Sequence, residues 1–134
     1  MLPSGLSETV SDDEDLARFL TQGNQFIATM PKPAAFLPSP KDRETSVSRH
    51  SSKPRDILWE IGLAAAGKRK LYGAALFKAG AVRATQLDVL ADEPPPRHAV
   101  IRGWPWNETD PELQKAQQKE IATMIASQAV LLLR

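Results

Sequence analysis

"DEPPPRHAVIRGWPWNETD", residues 92–110, decides how this chain is read. Its three consecutive prolines favour a stiff, extended conformation that aims the following segment at a fixed angle and at little entropic cost. From His98 to Gly103 the side chains alternate. His98, Val100 and Arg102 fall on one side and Ala99, Ile101 and Gly103 on the other, the period of a strand. Asp110-Pro111 then marks a helix start, with an acceptor at the cap, proline in the first helical position and Glu112 near the positive end of the helix dipole. Leu113, Ile121, Met124 and Ile125 form the stripe expected to be buried. The apolar run Ala129-Val130-Leu131-Leu132-Leu133 either continues this helix or separates as a last strand.

Working back from the prolines, residues 71–78 have strand composition, Ala79-Gly80-Ala81 invites a turn or bulge, and Leu87 and Val89 alternate with polar neighbours. Two or three strands are expected there. Thr45-Ser46-Val47-Ser48 is another short strand, with Val47 as its inward anchor. Ser51-Ser52-Lys53-Pro54 reads as a helix start with proline in the first turn. Ile57, Leu58, Ile61 and Ala65 repeat on one face, and Gly67 ends that helix before Lys68-Arg69-Lys70. Four prolines surround Ala34-Ala35-Phe36-Leu37, so residues 31–40 reach at best an edge strand. Ser11 and Glu14 have capping-box spacing, Leu16, Phe19 and Leu20 follow at helical intervals, and Gly23-Asn24 is a stop, which predicts a first helix. Residues 1–10 read as a flexible tail. The expected fold is α+β: one domain over residues 11–134, with a small, mainly antiparallel sheet of four or five strands, helices packed on it and the C-terminal helix the longest.

A chain of 134 residues suffices for one core. With 42% hydrophobic and 25% charged residues it matches ordinary globular composition, against wholesale disorder or a membrane protein. The net charge of +1 supplies no overall field to attract nucleic acid or an anionic membrane. The absence of cysteine excludes disulfides, thiolate zinc sites, iron–sulfur clusters and a cysteine nucleophile. An acidic Ser11-Asp12-Asp13-Glu14-Asp15 stands where a secretory signal would need basic and apolar residues, and no apolar run approaches the ~18 residues that span a bilayer. A soluble protein in the cytoplasm, without a membrane partner, is expected.

Two arginine–histidine pairs carry the most chemistry. In Arg97-His98 the arginine is a permanent forked donor for phosphate or carboxylate, and the imidazole titrates near neutrality, which makes His98 the candidate acid or base. Arg49-His50 closes the strand at residues 45–48. If the two strands are neighbours, both pairs converge into a cationic site suited to a phosphoryl or nucleotide group; otherwise they are solvent-facing charges. Trp104 and Trp106, two residues apart, would point to one side of an extended chain, where they either anchor a partner or plug the core beneath the last helix. Trp59 lies opposite the Ile57-Ile61 stripe and is the better candidate for exposure. No closely spaced ligand pair marks a metal, no glycine-rich phosphate loop is present, no Gly-x-Ser-x-Gly elbow occurs, and no cofactor is implied.

In Thr45-Ser46-Val47-Ser48-Arg49, in Leu58-Trp59-Glu60-Ile61-Gly62 and in the eleven-residue string from Pro95 to Pro105, the chain resembles a set of small, uncharacterised bacterial proteins. These share S-V-x-R, L/I-W-x-x-G and P-P-R-H-A-x-I-x-G-W-P strings. The likeness runs from about residue 31 to the carboxyl end, and its last string is the specific one. It implies a bacterial, soluble, single-domain protein and carries no activity or cofactor. A rigid, aromatic and cationic stretch without a complete catalytic constellation points to a non-enzymatic binding or adaptor protein that recognises a protein partner through residues 94–106, with Arg49, His50, Arg97, His98, Trp104 and Trp106 as binding residues. One alternative is an enzyme acting on a nucleotide, RNA or another phosphorylated substrate, with His98 as acid or base and Arg49 and Arg97 as the anion clamp. A second is nucleic-acid binding through Lys68-Arg69-Lys70 and Arg83.

Overall fold

The segment that reads as a first helix is a strand. The computed structural model describes residues 2–50 and 54–134, and in it β1 (Asp15–Leu20) lies inside the main sheet. Leu16 and Leu20 face one side and Ala17 and Phe19 the other, all four buried. A strand buried on both faces shows no polar alternation, and its apolar residues then mimic a helical stripe. The acidic run before it caps nothing. Asp12 pairs with Arg83, Asp15 with Lys78 and Glu14 with Arg49, so these carboxylates tie the first strand's approach to other elements.

After β1 come a two-stranded ribbon, β2 (Phe26–Ile27) and β3 (Met30–Pro31), and a 3-10 turn at Pro33–Ala35. Then follow β4 (Thr45–Arg49), α1 (Arg55–Ala66), β5 (Gly73–Lys78), the short α2 (Ala79–Arg83), β6 (Asp88–Ala91), β7 (His98–Arg102), α3 (Pro111–Ser127) and β8 (Val130–Leu133). The fold is α+β with one domain. The main sheet has six antiparallel strands in the order β6-β7-β4-β1-β5-β8, more than the four or five expected, because β1 and β8 both join it. Residues 51–53, which the sequence assigns to the start of α1, lie outside the described residues. Gly67 ends α1 with φ of +60°, a backbone conformation that favours glycine.

The sheet separates two apolar clusters. On one side α3, α2, Phe36 and Trp104 pack on Leu16, Leu20, Val47, Phe77 and Ile101. On the other, α1 packs on Ala17, Phe19 and Ala74. Both long helices are rotated from their expected faces. The residues that α1 buries are Leu58, Gly62 and Ala66, which leaves Ile57 and Ile61 half-buried and Ala65 exposed. Gly62 lets the helix approach closely, since a Cβ there would lie 2.7 Å from Cε1 of Phe19. The inner face of α3 is Gln118, Ala122, Ile125 and Ala126, whereas Leu113 and Met124 are exposed. Small residues serve close packing, and Gln118 donates to the Pro105 carbonyl. The Asp110 cap forms as expected, accepting from the Leu113 amide at 3.0 Å.

Residues 2–10, read as a tail, lie against the domain: Val10 is buried, the Ser7 carbonyl accepts from Arg49, and Ser4 hydrogen-bonds Glu93. At the far edge, β6 is closed midway. The Val89 amide donates to Asp88 Oδ1, and its carbonyl accepts from Arg83 Nη2.

Candidate functional site

Helix α1 lies over β1 and β5, and beside its flank the same sheet face continues onto β4 and β7. Ser48 and His98 sit opposite each other there as antiparallel partners, so their side chains share that face. Between them and the flank of α1 runs a groove of about 480 Å³, with Ile57, Ile61 and Ala64 on the helix side and Pro95, Pro96 and Arg97 on the other. Its helix wall is made of Ile57, Glu60 and Ala64, which the core does not take, and of Ile61, half-buried against the α1 cluster. Through Ser48, Ala65, Pro95 and His98 it continues into a smaller cavity of about 250 Å³ that takes in Arg18, Thr21, Ser46 and Arg69.

The proline turn is pinned at both ends. Glu93 accepts from the Arg97 amide at 3.2 Å and from the amide and hydroxyl of Ser4, and these bonds, the hydroxyl first, hold its carboxyl below the usual range. Arg97 occupies the left-handed region at φ of +70°, a conformation costing a non-glycine residue about 1–2 kcal/mol. It leads directly into β7, where the His98 amide bonds the Pro95 carbonyl.

The two arginine–histidine pairs are neighbours, joined through their backbones. The Arg49 amide donates to the Arg97 carbonyl at 2.8 Å, and Arg97 Nη1 donates to the Arg49 carbonyl at 3.0 Å. Their side chains do not converge. One residue beyond Ser48, Arg49 points to the opposite face, where its guanidinium, 1% exposed, binds both oxygens of Glu14 and the Ser7 carbonyl. It is a structural arginine and not half of an anion clamp. His50 is also buried, with Nδ1 unpartnered among the described residues. Burial pushes its pKa down; Asp15 opposes the shift, and Lys78 and Arg97 add to it. His98 does face the groove, half-buried. Its Nδ1 lies 2.9 Å from the Asp92 carbonyl and 3.2 Å from Asp92 Oδ2, which assigns the proton to Nδ1 and leaves Nε2 for a ligand.

The tryptophans also separate. Trp104 is 6% exposed and belongs to the core, so it offers nothing to a partner, while Trp106 is half-buried beneath the Arg43 guanidinium, 4.7 Å from the ring centroid. Trp59, expected to be exposed, packs half-buried at the margin of the α1 cluster. Of the residues read as a nucleic-acid patch, Arg83 binds Asp12 and Asp88 and Lys70 lies over Tyr72, while Lys68 is exposed. Among the described residues no group of three His, Asp or Glu is placed to hold a metal, and no helix is long and apolar enough to cross a membrane.

The sequence reading missed Arg18 and the helix flank. A visible signal existed: Arg18 is the single charge within the apolar run of β1. Beyond Ala17 and its partner Ser48 the pairing of β1 with β4 stops, and Arg18 bridges the opening, donating from Nε to the Ala35 carbonyl at 2.8 Å and from Nη1 to the Ser46 carbonyl at 3.0 Å. No family model, no curated protein and no solved structure matches this chain.

Proposed function

We propose that the protein is a non-enzymatic binding or adaptor protein of the bacterial cytoplasm that holds an extended segment of a partner protein in the groove between α1 and the proline turn. The carrying observation is the facing pair of apolar walls, Ile57 and Ile61 against Pro95 and Pro96, with Arg97 and His98 at the rim. An apolar side chain buried between such walls contributes about 1.5–3 kcal/mol, and the polar rim orients it. The recognition surface is thus the first half of the proline–tryptophan stretch together with α1, without Trp104. The bacterial setting rests on the likeness of residues 95–105 to small bacterial proteins.

Panning a random peptide library against the protein tests this. Selected peptides should share an apolar anchor, and Ile57→Asp, which leaves the inward Leu58 and Ile61 in place, should weaken them by about tenfold or more while the far-ultraviolet dichroism stays unchanged. Peptides without a common anchor, or indifferent to Ile57→Asp, would refute the reading.

An enzyme acting on a phosphorylated substrate is the second reading, favoured by the Asp92 carboxylate that fixes the His98 tautomer as an acid–base pair requires. Its anion contact would be Arg97 and not Arg49. Turnover separates the two readings: an enzyme converts a phosphorylated substrate and loses about two or more orders of magnitude in rate on His98→Ala, whereas an adaptor converts none and loses only a rim contact, about tenfold in peptide affinity.

A further inference from the structure

We infer that the smaller cavity, where Arg18, Arg69, Ser46, Ser48 and His98 meet, is a binding site for a phosphomonoester, supplied as a phosphorylated side chain of the segment held in the groove. The cavity itself stands on its own geometry; only the source of the phosphate rests on the adaptor reading.

Two guanidinium groups line this cavity and no carboxylate does, and neither arginine has an ion-pair partner among the described residues. Like charges are not left together in a half-enclosed space without something that holds them there. Here backbone carbonyls do. Arg18 is fixed by Ala35 and Ser46, and Arg69 donates from Nε to the Ala66 carbonyl and from Nη2 to the Ala65 carbonyl, both at 3.1 Å, at the negative end of α1. Carbonyls orient the groups without neutralising them. Burial, and then the nearby charge of Arg69, lower the pKa of Arg18, as expected of a cation waiting for a counter-charge.

The donors outnumber what a carboxylate can use. Each guanidinium carries five N–H groups; Arg18 spends two on carbonyls, and Arg69 spends two on carbonyls and one on a 3.5 Å contact with Thr21. The hydroxyls of Ser46 and Ser48 make no hydrogen bond among the described residues, and Nε2 of His98 is left over. A phosphomonoester, with three terminal oxygens and nearly two negative charges at neutral pH, uses this set where a carboxylate's two oxygens do not. Because Ser48, Ala65, Pro95 and His98 border both cavities, a phosphorylated side chain can enter the smaller one while its neighbour occupies the apolar groove.

The test is a nuclear magnetic resonance titration of the full chain with inorganic phosphate, with a phosphoserine tripeptide, with its unphosphorylated twin and with adenosine monophosphate. Phosphate should move the Ser46, Ser48 and Arg69 resonances saturably, and the phosphopeptide should bind about tenfold more tightly than its twin. Arg69→Gln should weaken phosphate about tenfold, while Lys68→Gln, which removes an adjacent exposed charge, should change it little. Absence of saturable shifts, or equal losses in both variants, overturns the site. Adenosine monophosphate binding about tenfold above the phosphopeptide would overturn the assignment to a partner's side chain. If phosphate binds here but panning yields no groove peptide, the adaptor reading fails and the cavity stands.

Discussion

The sequence marks Arg49 as a ligand-binding residue, the fold pairs it with Glu14 inside the domain, and the difference is measurable. Replacing it with methionine leaves Glu14, only 14% exposed, without the guanidinium that satisfied both its oxygens, and leaves the Ser7 carbonyl without its donor. Removing one partner of a buried pair costs about 3–5 kcal/mol, whereas replacing both with apolar residues is close to neutral. Against a total stability of about 5–15 kcal/mol the single change is severe. With a urea slope of about 2 kcal/mol per molar, the unfolding midpoint of Arg49→Met should fall by roughly 1.5–2.5 M. Glu14→Met alone should also be costly, and the double variant should recover most of the loss, giving a coupling of at least about 2 kcal/mol. Urea melts followed by tryptophan fluorescence provide all four corners of the cycle. Additive losses, or a cost below about 1 kcal/mol for Arg49→Met, would refute the reasoning. Where the variants remain folded, binding in the groove should be unaltered, since Arg49 lies on the other face.

Gly62→Ala adds a methyl group 2.7 Å from Cε1 of Phe19 and 2.9 Å from Cδ2 of Leu71. Overpacking costs about 1–3 kcal/mol and the gain in helix propensity returns about 1, so thermal melts should show a net loss; a stabilised protein would mean that α1 does not pack so closely. For His50 the native pKa is depressed by burial, so the unfolded chain binds this proton at higher pH. Its contribution is whole above the unfolded value of about 6.5 and is lost as the pH falls toward the lower native value. His50→Gln should therefore flatten the decline in melting temperature on acidification below that value, and equal slopes for both proteins would contradict this.

The fold was legible where local chemistry and tertiary demand agree. Asp110-Pro111 announces α3, Gly67 ends α1, and the alternation from His98 is β7. It was illegible where burial on two faces erased the pattern: Leu16, Phe19 and Leu20 satisfy helical spacing by coincidence, and the acidic residues before them look like a cap because their partners, Arg49, Lys78 and Arg83, are distant in sequence. Helix orientation misled for a related reason. Large apolar residues were assigned inward, but close helix–sheet approach selects Gly62, Ala66, Ala122 and Ala126, which pushes Ile57, Ile61, Leu113 and Met124 outward. Convergence of the two arginine–histidine pairs requires β4 and β7 to be neighbours. They are, yet the alternation of strand side chains sends Arg49 and His98 to opposite faces.

The capping of Val89 in β6, by Arg83 of α2 and by the neighbouring Asp88, bears on whether another strand can add at that border. With Arg83 on the Val89 carbonyl and Asp88 on its amide, that rim has no continuous ladder for an incoming chain. An incoming strand would have to displace the Arg83 guanidinium and the Asp88 carboxylate before pairing at Val89, so addition across that border gives up two hydrogen bonds already formed.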